Sequence, residues 1–318
     1  MKRFLTKFGV ALVLLYFGAL LLDIIVSRGL LKMEDYRFQD YAAMLKGGME
    51  NDVLIIGNSR GKSHFDPSII DSKLQVSSFC IGVGGYPINV HTLKYDLYRE
   101  HNRKPRVIIQ NVDHMTIRIM EDVRHQHQSE QFFPLVYDRQ MRKELPKVGY
   151  TWKELWIPMF RFFGYQMVIK NGLLEALSIK HYISNPAYKG HRPESGRWDG
   201  TELAKMTRQE IILPAEAKVQ FEDFLADCKR DTVEVVLVFS PMYTGALEKY
   251  TNLQDVKTYF RKTADRFGFP YLDYTEGEGL EISSDSTNFC VSVHMNPYAT
   301  KRFTGLLCRD LDSLGVLK

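Results

Sequence analysis

Short apolar strands separated by helices constrain the fold of this chain more than any other feature. Val233–Phe239 is almost continuously apolar, as expected of a strand whose two faces are both covered. The other segments with strand character are Asp52–Ile56, Val76–Ile81, Val107–Gln110 and Tyr271–Asp273. Strands that alternate with helices pair in parallel through right-handed crossovers. The sequence therefore predicts the α/β class, as a three-layer α/β/α domain around a parallel central sheet.

The predicted helices follow these strands with apolar residues at helical spacing. One begins after Pro87 and repeats Val90, Leu93 and Leu97 on one face. The others are a short helix from Pro67, then Pro214–Cys228, Leu253–Phe267 and Pro297–Ser313. Ligand sites of such sheets form beyond the carboxyl ends of the strands. The loops that follow the strands are therefore where we expect the chemistry.

The N-terminus carries an apolar run from Phe8 to Val26 that only Asp23 interrupts. About 20 apolar residues span a bilayer as a helix, so residues 1–28 are predicted to be a transmembrane anchor. Asp23 lies near the distal end, where it can reach the interface. A cleaved signal peptide is the alternative, but its apolar region is usually shorter and ends in small residues. No Ala-x-Ala site follows this run, which favours an uncleaved anchor.

The basic residues around the run predict its orientation. Lys2, Arg3 and Lys7 precede it and outweigh Arg28 and Lys32, so the head is expected in the cytoplasm. We therefore predict a single-pass protein of the cytoplasmic (inner) membrane. Its main domain would face the periplasm or the cell exterior.

The remaining chain divides by composition into a stalk, a domain and an insertion. Residues 29–50 are polar and are predicted to form a partly helical stalk, and residues 51–318 the main domain. Residues 121–209 break the strand–helix pattern and are rich in aromatic residues, which indicates a helical insertion. Its aromatic residues either form a core or provide a lid or a surface for a membrane partner.

Composition excludes some classes of function. The net charge is only +4, and the Lys and Arg residues are scattered, so nucleic-acid binding is not expected. The cysteines form no C-x-x-C pair, and His125 and His127 lack a third ligand, so no metal is expected. Cys80 and Cys290 each precede a candidate site loop. A disulfide between them and buried free thiols both remain open.

Two motifs at opposite ends of the chain suggest nucleophilic catalysis. Val53–Ile56 runs into Gly57-Asn58-Ser59, which places a serine directly after a buried strand. His294 lies in a loop just before the last predicted helix. A serine and a histidine brought together can act as nucleophile and general base. The structural alternative is that Ser59 and His294 only begin helices.

With two further segments, these motifs resemble the four sequence blocks of the SGNH (GDSL-like) hydrolase superfamily. The matching segments are Gly57-Asn58-Ser59, Gly82-Val83-Gly84-Gly85, Asn111 after the third strand, and His294 followed by Met295-Asn296. The resemblance covers residues 52–115 and 233–312, and it implies a flavodoxin-like fold. It also implies catalysis by Ser59 and His294, without a cofactor. The implied oxyanion hole comprises the backbone amides of Ser59 and Gly85 and the Asn111 side chain.

One departure from the family pattern concerns the aspartate that precedes the histidine by three residues. Val291 occupies that position here, so no carboxylate at that place orients His294. Asp285 on the same approach loop is a weak candidate replacement, and a backbone carbonyl is another. Without either, the site is a Ser-His dyad or is inactive.

The resemblance and the anchor together imply an envelope enzyme. The layout is similar to that of the DltD family, whose anchored extracytoplasmic SGNH domain works beside a membrane-bound O-acyltransferase. By this resemblance, the chain moves or removes an acyl group on a surface polysaccharide or lipid-linked sugar. A non-catalytic partner that binds the acylated glycan or docks on the O-acyltransferase is one alternative. A lipase or thioesterase of the same fold is the other.

Overall fold

The computed structural model describes residues 1–196 and 198–317. The helices are α1 (Lys2–Leu30), α2 (Gln39–Lys46), α3 (Ser59–Ser63), α4 (Pro67–Leu74), α5 (Ile88–His101), α6 (Met141–Glu144), α7 (Trp152–Trp156), α8 (Gln166–Ala176), α9 (Thr201–Lys205), α10 (Ala215–Arg230), α11 (Thr244–Leu247), α12 (Leu253–Phe267), α13 (Leu280–Ser284) and α14 (Pro297–Leu314). The strands are β1 (Glu34–Asp35), β2 (Val53–Ile56), β3 (Ser78–Cys80), β4 (Val107–Asn111), β5 (Ile183–Ser184), β6 (Glu234–Phe239), β7 (Tyr271–Asp273), β8 (Phe289–Val291) and β9 (His294–Met295). Short 3₁₀ helices occupy Ser129–Tyr137, Leu145–Val148, Phe160–Phe162, Gly277–Gly279 and Ser286–Asn288.

The chain forms two compact units that each draw on separate stretches of sequence. The unit that carries the predicted anchor, called the membrane-proximal unit after that prediction, comprises residues 1–46 and 121–186, and the sheet unit comprises 47–120 and 187–318. The predicted stalk is thus divided at residue 47. Residues 187–209, predicted to close the insertion, belong to the sheet unit, where the Cys80 amide donates to the Lys189 carbonyl at 2.9 Å. Hydrogen bonding to a strand edge holds this segment there, and composition does not reveal such a contact.

A five-stranded parallel sheet is the centre of the sheet unit. Its strand order is β3-β2-β4-β6-β7, and every neighbouring pair is parallel. Numbered along the chain within this sheet, the order is 2-1-3-4-5, that of flavodoxin-like folds. The predicted α/β class with a parallel central sheet is confirmed. The order reverses beside β2, so the loop after β2 opens at the switch point where such folds place their sites.

Helices cover both faces of this sheet, because strand side chains alternate between them. Val53 and Ile55 point to one face, where α4 and α14 pack and Phe303 fills the core. The intervening strand residues point to the other face. There α10 packs against β6 and α5, and Phe224 of α10 contacts the ring of Tyr95. These layers hold the strand ends, and therefore the loops after them, in fixed positions.

Helix α1 has two different surfaces along its length. Its large apolar side chains are exposed from Phe4 to Leu22, and the described residues contain no other helix long and apolar enough to cross a membrane. From Asp23 onward α1 enters the membrane-proximal unit, where Val26 and Leu30 pack with Phe133 and others. The last two turns of the helix therefore belong to the core of that unit.

Two glycines let α1 and α8 touch backbone to backbone. A Cβ atom added to Gly29 would lie 1.8 Å from the Gly172 carbonyl oxygen, and one added to Gly172 would lie 2.8 Å from the Val26 carbonyl oxygen. Both distances are shorter than any real contact of a Cβ atom. Glycine at both positions is therefore a condition of this close approach.

A Gly29→Ala variant is expected to lose about 3 kcal/mol or more of the free energy of unfolding, since the two helix backbones must separate to admit the methyl group. Gly18→Ala is the matched control on the same helix, because no atom lies within 4 Å of its added Cβ. That change is expected to be neutral or to gain up to about 1 kcal/mol of helix propensity. Thermal unfolding of both variants in one detergent, followed by circular dichroism, measures the difference. Equal melting temperatures would contradict the close packing.

The structure corrects the explanation for Asp23. Its carboxylate does not reach out to an interface but is fully buried and forms an ion pair with Arg161. The Arg161 guanidinium donates to Asp23 at 2.9 Å, and the Met159 amide and the Tyr137 hydroxyl donate to it at 2.6 and 2.5 Å. A buried charge with these partners is compensated. The interruption in the apolar run therefore marks the place where α1 joins the folded unit.

The cysteines are buried and none of them is in a disulfide bond. This holds for Cys80 and Cys290 and also for Cys228 and Cys308. The Cys80 thiol donates to the Gly61 carbonyl at 3.3 Å, so it packs beneath the loop that carries Ser59. Of the two alternatives left open by the sequence, this structure has the reduced one.

Candidate active site

Ser59 is the first residue of α3, directly beyond the carboxyl end of β2. The Asn58 side chain caps this helix by accepting from the Arg60 amide at 3.0 Å, which fixes the turn. Gly57 makes the turn possible, because a Cβ there would lie 2.9 Å from the Asn111 Cβ. Ser59 is partly exposed whereas Asn58 and Arg60 are buried. The local sequence thus presents one hydroxyl to solvent on a rigid support.

His294 comes to Ser59 from the other end of the chain. It lies on β9, which pairs with β8 in an antiparallel hairpin before α14. Its Nε2 is 2.8 Å from the Ser59 Oγ, within hydrogen-bonding distance. The structure therefore brings together the two residues that the sequence suggested as nucleophile and base.

A second histidine, not considered in the sequence analysis, holds the backbone beside His294. The Met295 amide donates to the His64 Nε2 at 3.1 Å, and the His64 Nδ1 lies 3.0 Å from the Ser240 Oγ. Because a backbone amide can only donate, His64 must carry its hydrogen on Nδ1 and donate to Ser240. Burial, followed by the charges of His294 and Arg60, holds the pKa of His64 well below its usual value. A neutral imidazole therefore ties β9 to the end of β6.

No carboxylate among the described residues contacts His294. Asp285 is exposed and accepts from the Thr287 amide and hydroxyl at 2.9 and 2.7 Å, so the structure does not bring it to the site. The Asp285 side chain caps the short 3₁₀ helix Ser286–Asn288, and in that position its carboxylate does not orient His294. Burial, with the nearby Arg60 charge, lowers the pKa of His294 to about 4, and Asp113 only partly opposes this.

Asp113 is instead the centre of a buried polar cluster behind Ser59. It accepts from the side-chain amides of Asn58 at 2.6 Å and Asn111 at 3.2 Å, and it forms an ion pair with Arg60. Burial works to raise the pKa of Asp113, but the charges of Arg60 and His114 and the hydrogen bonds from Asn58 and the Met115 amide bring it down to about 2. Asp113 is not among the site residues that the sequence predicted. An arginine directly after Ser59 and an aspartate two residues after Asn111 were the available signals.

The predicted oxyanion-hole residues surround Ser59 to different extents. The Val83 amide donates to the Gly57 carbonyl at 2.8 Å, which brings the glycine loop beside the serine loop. Gly84 lies closest, because its added Cβ would be 3.9 Å from the Ser59 Cβ, whereas Gly85 has φ +79° and open space around it. Asn111 lies beside Gly57 and uses its amide to bind Asp113. That amide nitrogen carries two hydrogens, so one remains for another acceptor.

Comparisons with known proteins add little to this geometry. No family model and no curated protein matches the chain. A similar solved structure comes from Bacteroides fragilis NCTC 9343 and is described as a "putative acylhydrolase". It is 11% identical, the match covers 86% of this chain and 94% of that chain, and the TM-score is 0.38. Two structures that differ this much say nothing about each other's sites. The SGNH resemblance therefore stays a prediction.

Proposed function

We propose that the chain is a serine-dependent acyl hydrolase or O-acyltransferase. The observation that carries this proposal is the 2.8 Å distance between Ser59 Oγ and His294 Nε2 at the switch point of a parallel sheet. Ser59 attacks the carbonyl carbon of an ester, and His294 takes the hydroxyl proton. The alcohol leaves with that proton, and the acyl group stays on Ser59 Oγ. Water or a sugar hydroxyl then attacks the acyl carbonyl while His294 removes the proton of this acceptor. The ester bond to Ser59 breaks, and His294 returns the proton to Ser59 Oγ.

The oxyanion formed in each step needs hydrogen-bond donors near Ser59. The proposed donors are the Ser59 and Gly85 amides and the free hydrogen of the Asn111 amide. One such donor typically contributes about 3–4 kcal/mol of transition-state stabilisation. The ion pair of Arg60 with Asp113 and the Asn111–Asp113 bond hold this side of the site in place. Asp113 thereby acts as a positioning residue.

The site works as a Ser-His dyad in this proposal. His64 and Ser240 position the backbone of His294, but no carboxylate stabilises the imidazolium that forms. Loss of the aspartate lowers kcat about 10⁴-fold in a serine protease triad. Intrinsic hydrolysis is therefore expected to be slow.

The proposed substrate is an acyl group on a glycan of the cell envelope. Helix α1 supports a permanent anchor, because its last turns, with Val26 and Leu30, are part of the core of the membrane-proximal unit. Cleavage within α1 would remove that packing. The basic head favours an orientation with the rest of the chain outside the cytoplasm. There we propose that it meets acylated polysaccharide and a membrane-bound O-acyltransferase partner.

A specific observation favours one alternative function. A His294 that lacks a carboxylate and has a pKa of about 4 is a weak base at neutral pH. The second candidate is therefore a catalytically degenerate protein that binds an acylated glycan or docks on the O-acyltransferase.

A fluorophosphonate probe separates the two candidates. The full chain in detergent micelles is incubated with the probe, and the modified peptide is identified by mass spectrometry. We expect one phosphonylated residue, Ser59, since only an activated serine reacts quickly. A folded chain that stays unlabelled over hours, alone and with acylated glycan present, would support the binding protein.

The pH dependence of labelling tests the surroundings of His294. His294 must be neutral to act as a base. The labelling rate is therefore expected to stay constant as the pH is lowered from neutral, and to fall only as the pH drops through about 4. An ordinary histidine would lose activity near pH 6.5. The labelling rate is measured between about pH 3.5 and 8, with circular dichroism as the control for folding. A midpoint near 6.5 would mean that burial and the Arg60 charge do not lower the pKa of His294, and a midpoint clearly above 6.5 would mean that a carboxylate reaches it.

A further inference from the structure

Aromatic side chains are exposed along residues 152–163 of the membrane-proximal unit. Phe163 is 89% exposed, Trp152 62% and Trp156 57%, and Ile157 and Phe160 are also open. Soluble proteins rarely expose a continuous apolar surface of this kind unless it contacts a partner or a membrane. We call residues 152–163 the aromatic segment.

The exposed charges of the aromatic segment are basic. Its acidic residue, Glu154, is buried and accepts from the Thr151 amide at 2.8 Å and from Arg124 at 3.1 Å. Lys153 Nζ lies 6.0 Å from the centre of the Phe160 ring. The guanidinium of Arg142, just outside the segment, lies 4.8 Å from the Trp156 ring. Aromatic rings with basic side chains and no exposed acid are the composition of a surface that lies on phospholipid.

The contacts of the aromatic segment with α1 indicate how deep in the membrane the segment lies. The Tyr16 hydroxyl donates to the Trp156 carbonyl at 3.1 Å, and a groove of about 290 Å³ between the two is lined by Leu20, Ile24 and Ile157. Tyr16 lies about 10 Å along the helix axis from Asp23, toward the N-terminus. The exposed apolar run ends at Leu22, about 9 Å along the helix axis beyond Tyr16. Trp156 therefore lies beside the run, and the segment reaches the end of the run where the Met159 amide donates to Asp23.

We propose that the aromatic segment is embedded in the leaflet in which α1 ends, from its headgroup–acyl boundary to the acyl chains beside Tyr16. This inference rests on the proposed membrane anchoring. A helix that spans the bilayer carries whatever packs against its apolar run into the same layer. Tryptophan prefers that layer because its ring is apolar and its N–H is polar. Lys153 and Arg142 would extend to the lipid phosphates.

The occupant of this surface is lipid and not a protein because the surface continues that of α1. The groove between Tyr16 and Trp156 is lined by Leu20 and Ile24 of α1, and also by Asp23, Arg142 and Arg161. Insertion of this segment would hold the membrane-proximal unit at a fixed height and tilt on the membrane. A single helix alone would allow it to rotate and tilt.

Depth-dependent quenching of tryptophan fluorescence tests the proposal on the full chain. The chain contains three tryptophans, so Trp152→Phe with Trp198→Phe leaves Trp156 as the only one. This variant is reconstituted in nanodiscs of phosphatidylcholine brominated either near the headgroup or near the end of the acyl chain. The anchor control replaces all three tryptophans with phenylalanine and adds Val13→Trp, at the middle of the exposed run. Nanodiscs of the same lipid without bromine give the unquenched emission.

The proposal expects Trp156 to lose most of its emission with bromine near the headgroup and much less with bromine at the chain end. The anchor control should show the opposite dependence. Quenching of the anchor control without quenching of Trp156 would overturn the membrane insertion and leave the anchor intact. Deep quenching of Trp156, equal to that of the control, would also overturn the interfacial placement. If neither tryptophan is quenched, the anchor itself is wrong and the insertion fails with it. Labelling of Ser59 is measured separately and depends on none of these outcomes.

Discussion

A His294→Ala variant is expected to react with a fluorophosphonate probe about 10²–10⁴-fold more slowly than the unaltered chain, the range that a general base typically contributes. The Nε2 that lies 2.8 Å from the Ser59 Oγ is the only described group that contacts this hydroxyl. Without it, the Ser59 proton passes to water. Ser59→Ala is expected to abolish labelling of the peptide altogether, because the atom that forms the bond is gone. Rates of single-hit labelling, read by mass spectrometry of that peptide, measure both effects.

An exposed histidine in the other unit provides the matched control. His125→Ala removes an imidazole that has no place in the proposed mechanism, and it is expected to leave the rate unchanged. Equal labelling of the His294→Ala variant and the unaltered chain would show that the imidazole does not activate Ser59. In that case the short Ser59–His294 contact is structural, and the binding function becomes the better explanation.

An Arg161→Met variant is expected to lose about 3–5 kcal/mol of the free energy of unfolding, the usual consequence of leaving one member of a buried ion pair alone. Methionine keeps much of the length of the arginine side chain but removes the charge opposite Asp23. It also removes hydrogen bonds of Arg161 to the Ser27 hydroxyl at 3.0 Å and to the Phe133 carbonyl at 2.9 Å. Thermal unfolding in detergent micelles, together with resistance to protease, measures the loss.

The double variant Asp23→Asn with Arg161→Met separates charge from packing. Asparagine has the shape of aspartate without its charge, so the double variant is expected to recover part of the stability that Arg161→Met loses. Together with the single variant Asp23→Asn, these variants form a double-mutant cycle. A loss in the double variant that is smaller than the sum of the two single losses indicates a direct interaction. Additive losses would mean that Asp23 and Arg161 contribute independently and that α1 is not held by this pair.

Local sequence patterns predicted the sheet because they report what a segment buries. Val53–Ile56 is apolar on both faces, and such a run becomes a central strand wherever its neighbours lie. Helix α12 was predicted at Leu253–Phe267 and has those bounds, since a single apolar face and a terminal glycine define it locally. The order 2-1-3-4-5 then follows from parallel pairing with few alternatives.

The surroundings of the two candidate catalytic residues could not be read in this way. Ser59 and His294 stood out because each follows a recognisable pattern, but their distance depends on the whole sheet unit. Asp285 was proposed from its position in the sequence. In the structure its carboxylate instead accepts a hydrogen bond from the Thr287 amide. The partner that holds β9 is His64, which is 231 residues from Met295. Contacts over such separations leave no periodic signal.

The sequence by itself determined the parallel α/β domain, the apolar N-terminal helix and the choice of Ser59 and His294 as candidate site residues. These are consequences of periodicity, apolar length and residue type, which act over a few residues. Only the tertiary structure decided that Asp23 pairs with Arg161, 138 residues away, and that His294 lies among His64, Arg60 and Asp113 without a carboxylate of its own. Burial and charge depend on the atoms that surround a group, and those atoms come from distant parts of the chain.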